Sequence, residues 1–250
     1  MGLPEGLVRT ADGFVVLRDD THLSRWVEDR GRLDIGRAEI DRFRQYIPEG
    51  GTVIDAGACI GDHTIVYAEY VGTTGHVYAF EPYLLAAQAC FLNTAHLPQV
   101  TVLNAALGSR AREGCLYLNP NKGASFLSDT GSAWAAQETP TQPLPTLTVP
   151  VTTLDDALLP VVSRCDYLHL DAEGWEPFIL AGGADLIRRF RPVLVFEMSQ
   201  PHLERAGMTV TGVWVLLAAL GYVVELPPNG VFREEQNVLA LPREKISAPV

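Results

Sequence analysis

Asp55, Glu81 and Asp171 each close a short apolar, β-prone run: Thr52-Val53-Ile54, His76-Val77-Tyr78-Ala79-Phe80 and Cys165-Asp166-Tyr167-Leu168-His169-Leu170. A carboxylate at the tip of a buried strand can orient hydroxyl groups, balance a cation or take a proton. After Asp55 the chain passes Gly57 and Gly61, and residues 65–70 then read as a helix. Lacking Cβ atoms, the glycines allow a sharp turn with a ligand lying against it, and unpaired N–H groups at the helix start favour a carboxylate or phosphate. In doubly wound sheets an acid ending the second strand accepts hydrogen bonds from both ribose hydroxyls of a nucleoside held over the first turn. Glu81 stands in that place. For either feature alone, a ligand-free strand–helix corner or a solvated strand-end acid remains open. The fingerprint G-x-G-x-x-G is not met, because Cys59 falls between the glycines, and this disfavours a nicotinamide cofactor.

Alternation puts His169 and Asp171 on one strand face, and Glu173 follows just before Gly174. This is the densest cluster of titratable groups in the expected crevice. An imidazole suits base work near neutral pH, while a satisfied core histidine is the competing reading of His169. Asp171, Glu173 and Glu197 could converge on magnesium or calcium through carboxylate and water ligation. No spacing requires it, and no metal is expected.

The elements that must position these groups follow in order. Residues 1–50 read as an α-rich prelude with a β piece at 13–17, which could lie over the cofactor mouth as a lid. A helical spacing over 37–46 is stopped by Pro48-Glu49-Gly50-Gly51. A helix is expected over 83–95 and a third strand over 100–108. That strand's end would bring Asn104 and the Ala105 backbone to a base edge, with a plain turn role for Asn104 equally open. Residues 109–150, rich in Pro, Ser and Thr, read as an antiparallel excursion and mobile loop inserted in the sheet, of the kind that carries substrate specificity. The core resumes over 149–154, a helix starts at Asp155-Asp156, and further elements are expected as a helix over 175–190, a strand over 191–197 and a helix over 210–220. A final hairpin of 222–226 and 237–241 gives the sheet an antiparallel edge.

At 250 residues and 47% hydrophobic the chain can bury a sizeable core as one domain with small additions. Nineteen basic and 30 acidic residues give a net charge of −11 without a basic run, which argues against a nucleic-acid partner and for a small-molecule one. Four scattered cysteines, Cys59, Cys90, Cys115 and Cys165, form no C-x-x-C pair and read as reduced and buried. Residues 1–10 carry no signal-peptide pattern, and the apolar run 213–224 is too short to span a bilayer. No membrane association and a cytoplasmic location are expected. Trp26 and Trp134 could form a partner surface in a homo-oligomer.

Taken together, Val53 to Thr64, Val77 to Pro82, Asn104-Ala105-Ala106-Leu107-Gly108, Thr153-Leu154-Asp155, Leu170-Asp171-Ala172-Glu173-Gly174 with Glu176, Leu180 and Gly182, and Arg191-Pro192 leading to Glu197 resemble the FkbM family of class I S-adenosylmethionine (SAM)-dependent methyltransferases. The resemblance spans roughly residues 50–200. It implies an α/β fold, a doubly wound, mostly parallel seven-stranded Rossmann-like sheet with helices on both faces and an antiparallel last strand, preceded by the separate region 1–50. It also implies SAM as cofactor, with O-methylation of a small-molecule acceptor in natural-product biosynthesis. Carried over by position, Asp55, His63, Thr64 and the stretch Gly57, Ala58, Cys59, Ile60 and Gly61 would serve the donor's methionine end. Glu81 with Pro82 would hold the ribose, Asn104 and Ala105 would lie near adenine, and Asp171 and Glu173 would sit beside the sulfonium and acceptor. Two residues depart from the family pattern: Cys59 stands where Asn is usual, and His169 where Lys is usual. His169 or Asp171 is then expected to assist deprotonation. An NAD-dependent oxidoreductase and a non-catalytic nucleoside-binding protein of the same fold are the alternatives.

Overall fold

Every residue of Thr52–Ala56 and of Tyr167–Leu170 is buried, as strands covered on both faces must be. The computed structural model describes residues 2–128, 143–225 and 235–246. Its strands and helices are β1 (Leu7–Arg9), β2 (Val15–Leu17), α1 (Leu23–Arg30), α2 (Arg37–Ile40), β3 (Thr52–Ala56), α3 (Asp62–Val71), β4 (His76–Phe80), α4 (Leu84–Thr94), β5 (Val100–Leu103), β6 (Ala106–Leu107), β7 (Arg112–Tyr117), β8 (Phe126–Leu127) and β9 (Thr146–Thr152). There follow α5 (Leu154–Leu158), β10 (Tyr167–Leu170), α6 (Glu176–Gly182), α7 (Ala184–Phe190), β11 (Val193–Ser199), α8 (Gln200–Arg205), α9 (Val210–Ala219), β12 (Tyr222–Val224) and β13 (Glu235–Pro242).

The main sheet has seven strands in the order β12-β13-β11-β10-β3-β4-β5. β3, β4, β5, β10 and β11 pair in parallel, and β13 runs antiparallel between β11 and β12. Alternation sorts the core into two layers. Ile54, Leu168, Leu194 and Phe196 pack with α5, α6, α7 and α9 on one face, and Val53, Val77, Tyr167, Val193 and Val195 pack with α3 on the other. From β3 the chain moves outward through β4 and β5, then returns to lay β10 against β3's other side. The ends of β3 and β10 therefore open a crevice at a topological switch point, where such sheets bind ligands.

A second sheet of four strands, β6-β9-β7-β8, stands beside this edge. The expected strand over 100–108 is split between the two sheets. Asn104 causes the break: its Nδ2 donates to the carbonyls of Glu81 (2.9 Å) and Pro82 (3.1 Å), so the chain leaves the main sheet at Leu103 and re-enters as β6. Residues 149–152, read as part of the returning core, belong to β9 of the small sheet, and Thr153 then caps α5 by accepting from the Asp156 N–H at 2.9 Å. The single helix expected over 175–190 is two, because a Cβ on Gly182 would lie 1.9 Å from the Gly108 carbonyl oxygen and one on Gly183 would lie 2.6 Å from Leu154. β1 and α8 were not expected, and the short strand β12 ends at Val224.

Residues 7–33 pack on the turn after β3 and on α4 through Leu7, Val15, Val27, Cys59, Ile60 and Ala86. Asn93 on α4 joins them, donating to the carbonyls of Val15 and Ile60 at 2.9 Å each and accepting from the Val15 N–H at 2.7 Å. Among the described residues no helix is long and apolar enough to cross a membrane. Trp134 and residues 129–142 of the expected loop lie outside the described residues.

Candidate active site

The turn after β3 is shaped by contact with β10. Gly57 has φ +92°, and a Cβ there would lie 1.8 Å from the Asp171 carbonyl oxygen; only glycine permits that approach. Cys59 also adopts a left-handed conformation, φ +45°, which costs an ordinary residue about 1–2 kcal/mol. Asparagine bears it more easily than other side chains. The turn's amides are largely spent inside the protein. Gly57 and Ala58 donate to the Phe80 carbonyl at 3.0 Å, Gly61 to that of Ala58 at 2.8 Å, and Cys59 to Glu81 Oε2 at 2.9 Å.

Glu81 is 8% exposed. Its second oxygen accepts from the Tyr83 N–H at 2.7 Å. Burial pushes its carboxyl up to about 7 despite the two N–H donors that favour the charged form. It lines a cleft of ≈ 550 Å³ with Gly57, Cys59, Pro82, Ala105, Asp171 and Ala172 on the main-sheet side, and Lys122, Gly123, Ser125 and Leu127 on the small-sheet side. Lys122 is held there by its N–H to Asp20 Oδ1 at 2.9 Å and its Nζ to the Asn119 carbonyl at 2.9 Å.

Asp55 lies at the heart of the fold, fully buried. It accepts from Thr64 Oγ1 at 2.6 Å and faces His169 Nδ1 at 3.0 Å. Burial opposes both charges, yet each partner outweighs it: His169's pKa is raised and Asp55's lowered, so the two form an ion pair. The His169 ring is closed in by Tyr67 and by His63, whose centroid is 4.9 Å away edge-on. His63 in turn packs beneath Gly36, where a Cβ would overlap its ring. His169 and Asp55 thus stand behind the cleft wall, as do Ala58, Ile60, Gly61, His63, Thr64 and Asn104, none of which lines the cleft.

Asp171 does line it. Among the described residues no hydrogen bond reaches its carboxylate, and burial with the nearby Glu197 charge raises it to about 7. The turn that follows is fixed by buried Glu176, which accepts from the N–H groups of Ala172 (2.7 Å) and Gly174 (3.3 Å). Glu173, at φ +57°, turns away from the cleft. Its Oε2 meets His202 Nδ1 at 3.2 Å and Arg205 Nη2 at 3.5 Å, and His202 Nδ1 is also 3.2 Å from Glu197 Oε2. Burial and Glu197 push Glu173 up to about 8. Sequence reasoning passed over His202, whose only signal was its position five residues after the strand-end acid Glu197, and expected the excursion over 109–150 without naming Lys122, Gly123, Ser125 or Leu127.

A doubly wound seven-stranded sheet with an antiparallel strand inserted at one edge, and a carboxylate-lined cleft at its switch point, defines the Rossmann-like SAM-dependent methyltransferases. The chain belongs to one family of these, the FkbM methyltransferases: the "Methyltransferase FkbM domain" matches residues 55–224. No curated protein matches the sequence. Among solved structures, a putative caffeoyl-CoA O-methyltransferase from Staphylococcus aureus aligns over 88% of this chain and 90% of its own at 11% identity, with a TM-score of 0.50. The FkbM methyltransferase from Methylobacillus flagellatus aligns at 16% identity over 77% of this chain and 44% of its own, TM-score 0.48, so this chain spans under half the length of that protein. A SAM-dependent methyltransferase from Aquifex aeolicus aligns at 17% identity over 84% and 94%, TM-score 0.46. The family is one of methyltransferases, not of the nicotinamide oxidoreductases weighed as an alternative.

Proposed function

We propose that this chain methylates an oxygen of a small-molecule acceptor, of the kind met in natural-product biosynthesis, held between the ends of β3, β4 and β10 and the four-stranded sheet. SAM, when bound, supplies an electrophilic methyl group on a cationic sulfur. The residues fit such a nucleoside: Glu81 keeps a lone pair on each oxygen for the ribose hydroxyls, and Gly57 and Cys59 line the cleft where the methionine end would lie. Ala105 and Pro82 offer an apolar seat for the base, and Asp171 balances the sulfonium charge. Asn104 acts by fixing the Glu81-Pro82 backbone, and Asp55 with His169 by fixing β3 to β10.

The observation that carries the reading is Asp171, a cleft-lining carboxylate raised to about 7 by burial and Glu197. A base so tuned can take the proton of an acceptor hydroxyl as its oxygen forms the new bond to the methyl carbon and the carbon–sulfur bond breaks toward sulfur. Glu173, engaged with His202 and Arg205, supports the turn. The net charge of −11 and the carboxylates around the cleft favour an uncharged or cationic acceptor over a nucleic acid. Lys122, Gly123, Ser125 and Leu127 support a specificity role for 109–150, and Asp20's hold on Lys122 supports a covering role for part of 1–50.

The test is a thermal-shift panel of SAM, S-adenosylhomocysteine and NAD, followed by methyl transfer from labelled SAM to hydroxyl-bearing small molecules and to RNA. We expect SAM and S-adenosylhomocysteine alone to stabilise the protein, and Asp171→Asn to retain SAM while turnover falls roughly 10²–10⁴-fold. Wild-type turnover by Asp171→Asn, or transfer to RNA alone, would overturn the reading.

A further inference from the structure

Three side chains with metal-ligand chemistry meet beside the cleft, at the carboxyl ends of β10 and β11. One ligand atom each from Glu173, Glu197 and His202 lies within 4.8 Å of the other two. His202 Nδ1 is 3.2 Å from both carboxylate oxygens. A first-row metal with bonds of ~2.0–2.2 Å in tetrahedral or octahedral geometry spaces adjacent ligand atoms ~2.8–3.6 Å apart, so these edges already have the required length.

The backbone is shaped to bring the three together. Glu173 holds a left-handed conformation that few non-glycine residues adopt, and its carbonyl accepts from Arg205 Nη2. A Cβ on the next residue, Gly174 (φ +94°), would lie 2.3 Å from the His202 carbonyl oxygen and 2.9 Å from its Cβ. Strain of this kind persists where surrounding structure enforces it, and it gathers at functional sites.

An independent observation points to a missing ligand. Ser199 Oγ, on a residue 2% exposed, and Asn237 Oδ1 are buried without a hydrogen-bond partner among the described residues. Both share Glu197's face of the sheet: Ser199 by alternation along β11, and Asn237 because it stands directly opposite Glu197 in register. Buried oxygens without a partner are costly, and a polar ligand on this face beside Glu197 would relieve that cost. Asp55, His63 and His169 also converge, but there Asp55 is already saturated by Thr64 and His169.

We propose that Glu173, Glu197 and His202 bind a divalent first-row transition metal such as Mn²⁺, Fe²⁺ or Zn²⁺. Two carboxylates and an imidazole suit that class, whereas Mg²⁺ and Ca²⁺ favour all-oxygen cages. Arg205 steadies the Glu173 carboxylate from outside, as outer groups around metal ligands do. The side chains of Glu173, Glu197 and His202 are 11%, 14% and 16% exposed, which leaves an ion a path from solvent. The proposal does not rest on the donor-binding reading, although Glu197 also acts on Asp171.

The test uses the full chain, stripped with EDTA and free of SAM. Mn²⁺ is followed by electron paramagnetic resonance and calorimetry, and Co²⁺ by its visible d–d bands. We expect one equivalent of either ion per chain and at least tenfold weaker binding in Glu197→Gln and in His202→Ala. Glu197→Gln is near-isosteric, so it carries the test if His202→Ala does not fold. S-adenosylhomocysteine affinity, measured alongside, should change little in Glu197→Gln, because that ligand carries no sulfonium for Asp171 to balance, which keeps failure of this site distinct from failure of the donor site. Equal binding by wild type and Glu197→Gln, no binding by wild type, or binding of Mg²⁺ as tight as that of Mn²⁺ would overturn the proposal.

Discussion

The two ends of the cleft are built on opposite plans. At the turn after β3 nearly every polar group is matched: the Gly57, Ala58, Cys59 and Gly61 amides have acceptors, Asp55 has Thr64 and His169, and Glu81 has two N–H groups. At the ends of β10 and β11, Asp171, Glu173, Glu176 and Glu197 crowd together, with His202 and Arg205 among the described cations beside them. Like charges held in a partly dry site disfavour one another and push carboxyl groups toward neutrality. One end is thus made for rigidity. The other retains an electrostatic tension that chemistry can use, at some cost to stability.

Substitutions should separate the two plans. The largest effect is expected for Asp55→Ala, which strands His169 in the core; breaking a buried pair costs about 3–5 kcal/mol, read by urea denaturation at neutral pH. Because His169's pKa is raised by folding, this loss should shrink as pH climbs through that raised value. A loss under about 1 kcal/mol would mean that the donor end is not held by this pair.

Next comes Glu81→Gln. Folding raises the carboxyl from 4.5 to about 7, so Glu81's own contribution to stability is greatest below 4.5 and falls by about 3 kcal/mol as pH rises to 7. The Gln variant should lack that decline. SAM should also bind the wild type more tightly as pH rises through 7, because the ionised carboxylate is the better hydroxyl acceptor. A pH-independent affinity in calorimetry would remove Glu81 from the ribose.

The smallest expected change has the opposite sign. Asp171→Asn removes a buried charge to which no hydrogen bond is made among the described residues, and should stabilise the protein by about 1–3 kcal/mol at neutral pH while turnover collapses. A destabilised Asp171→Asn would erase the contrast between the two ends.

The sequence disclosed the matched end more fully than the strained one. Strands such as Val53-Ile54 and Leu168-His169-Leu170 are apolar on both faces because helices cover both, so their tips, and the acids on them, can be read directly. Composition could not reveal that Asp55 faces inward, since strand alternation gives a face but not which partner fills it. Nor could it reveal that β6 leaves the sheet, which depends on an Asn104 side chain meeting carbonyls more than twenty residues earlier. The His202 cluster arises only when α8 folds back over Gly174, a contact between segments with no shared pattern.

Asn93 ties three distant parts of the chain together. Its amide grips Val15, made 78 residues before it, and the Ile60 carbonyl in the same grasp. In the folded chain the corner after Asp55 is therefore not held by local contacts alone. Its stability is tied to a long-range contact with α4 and not to the nearby turn alone.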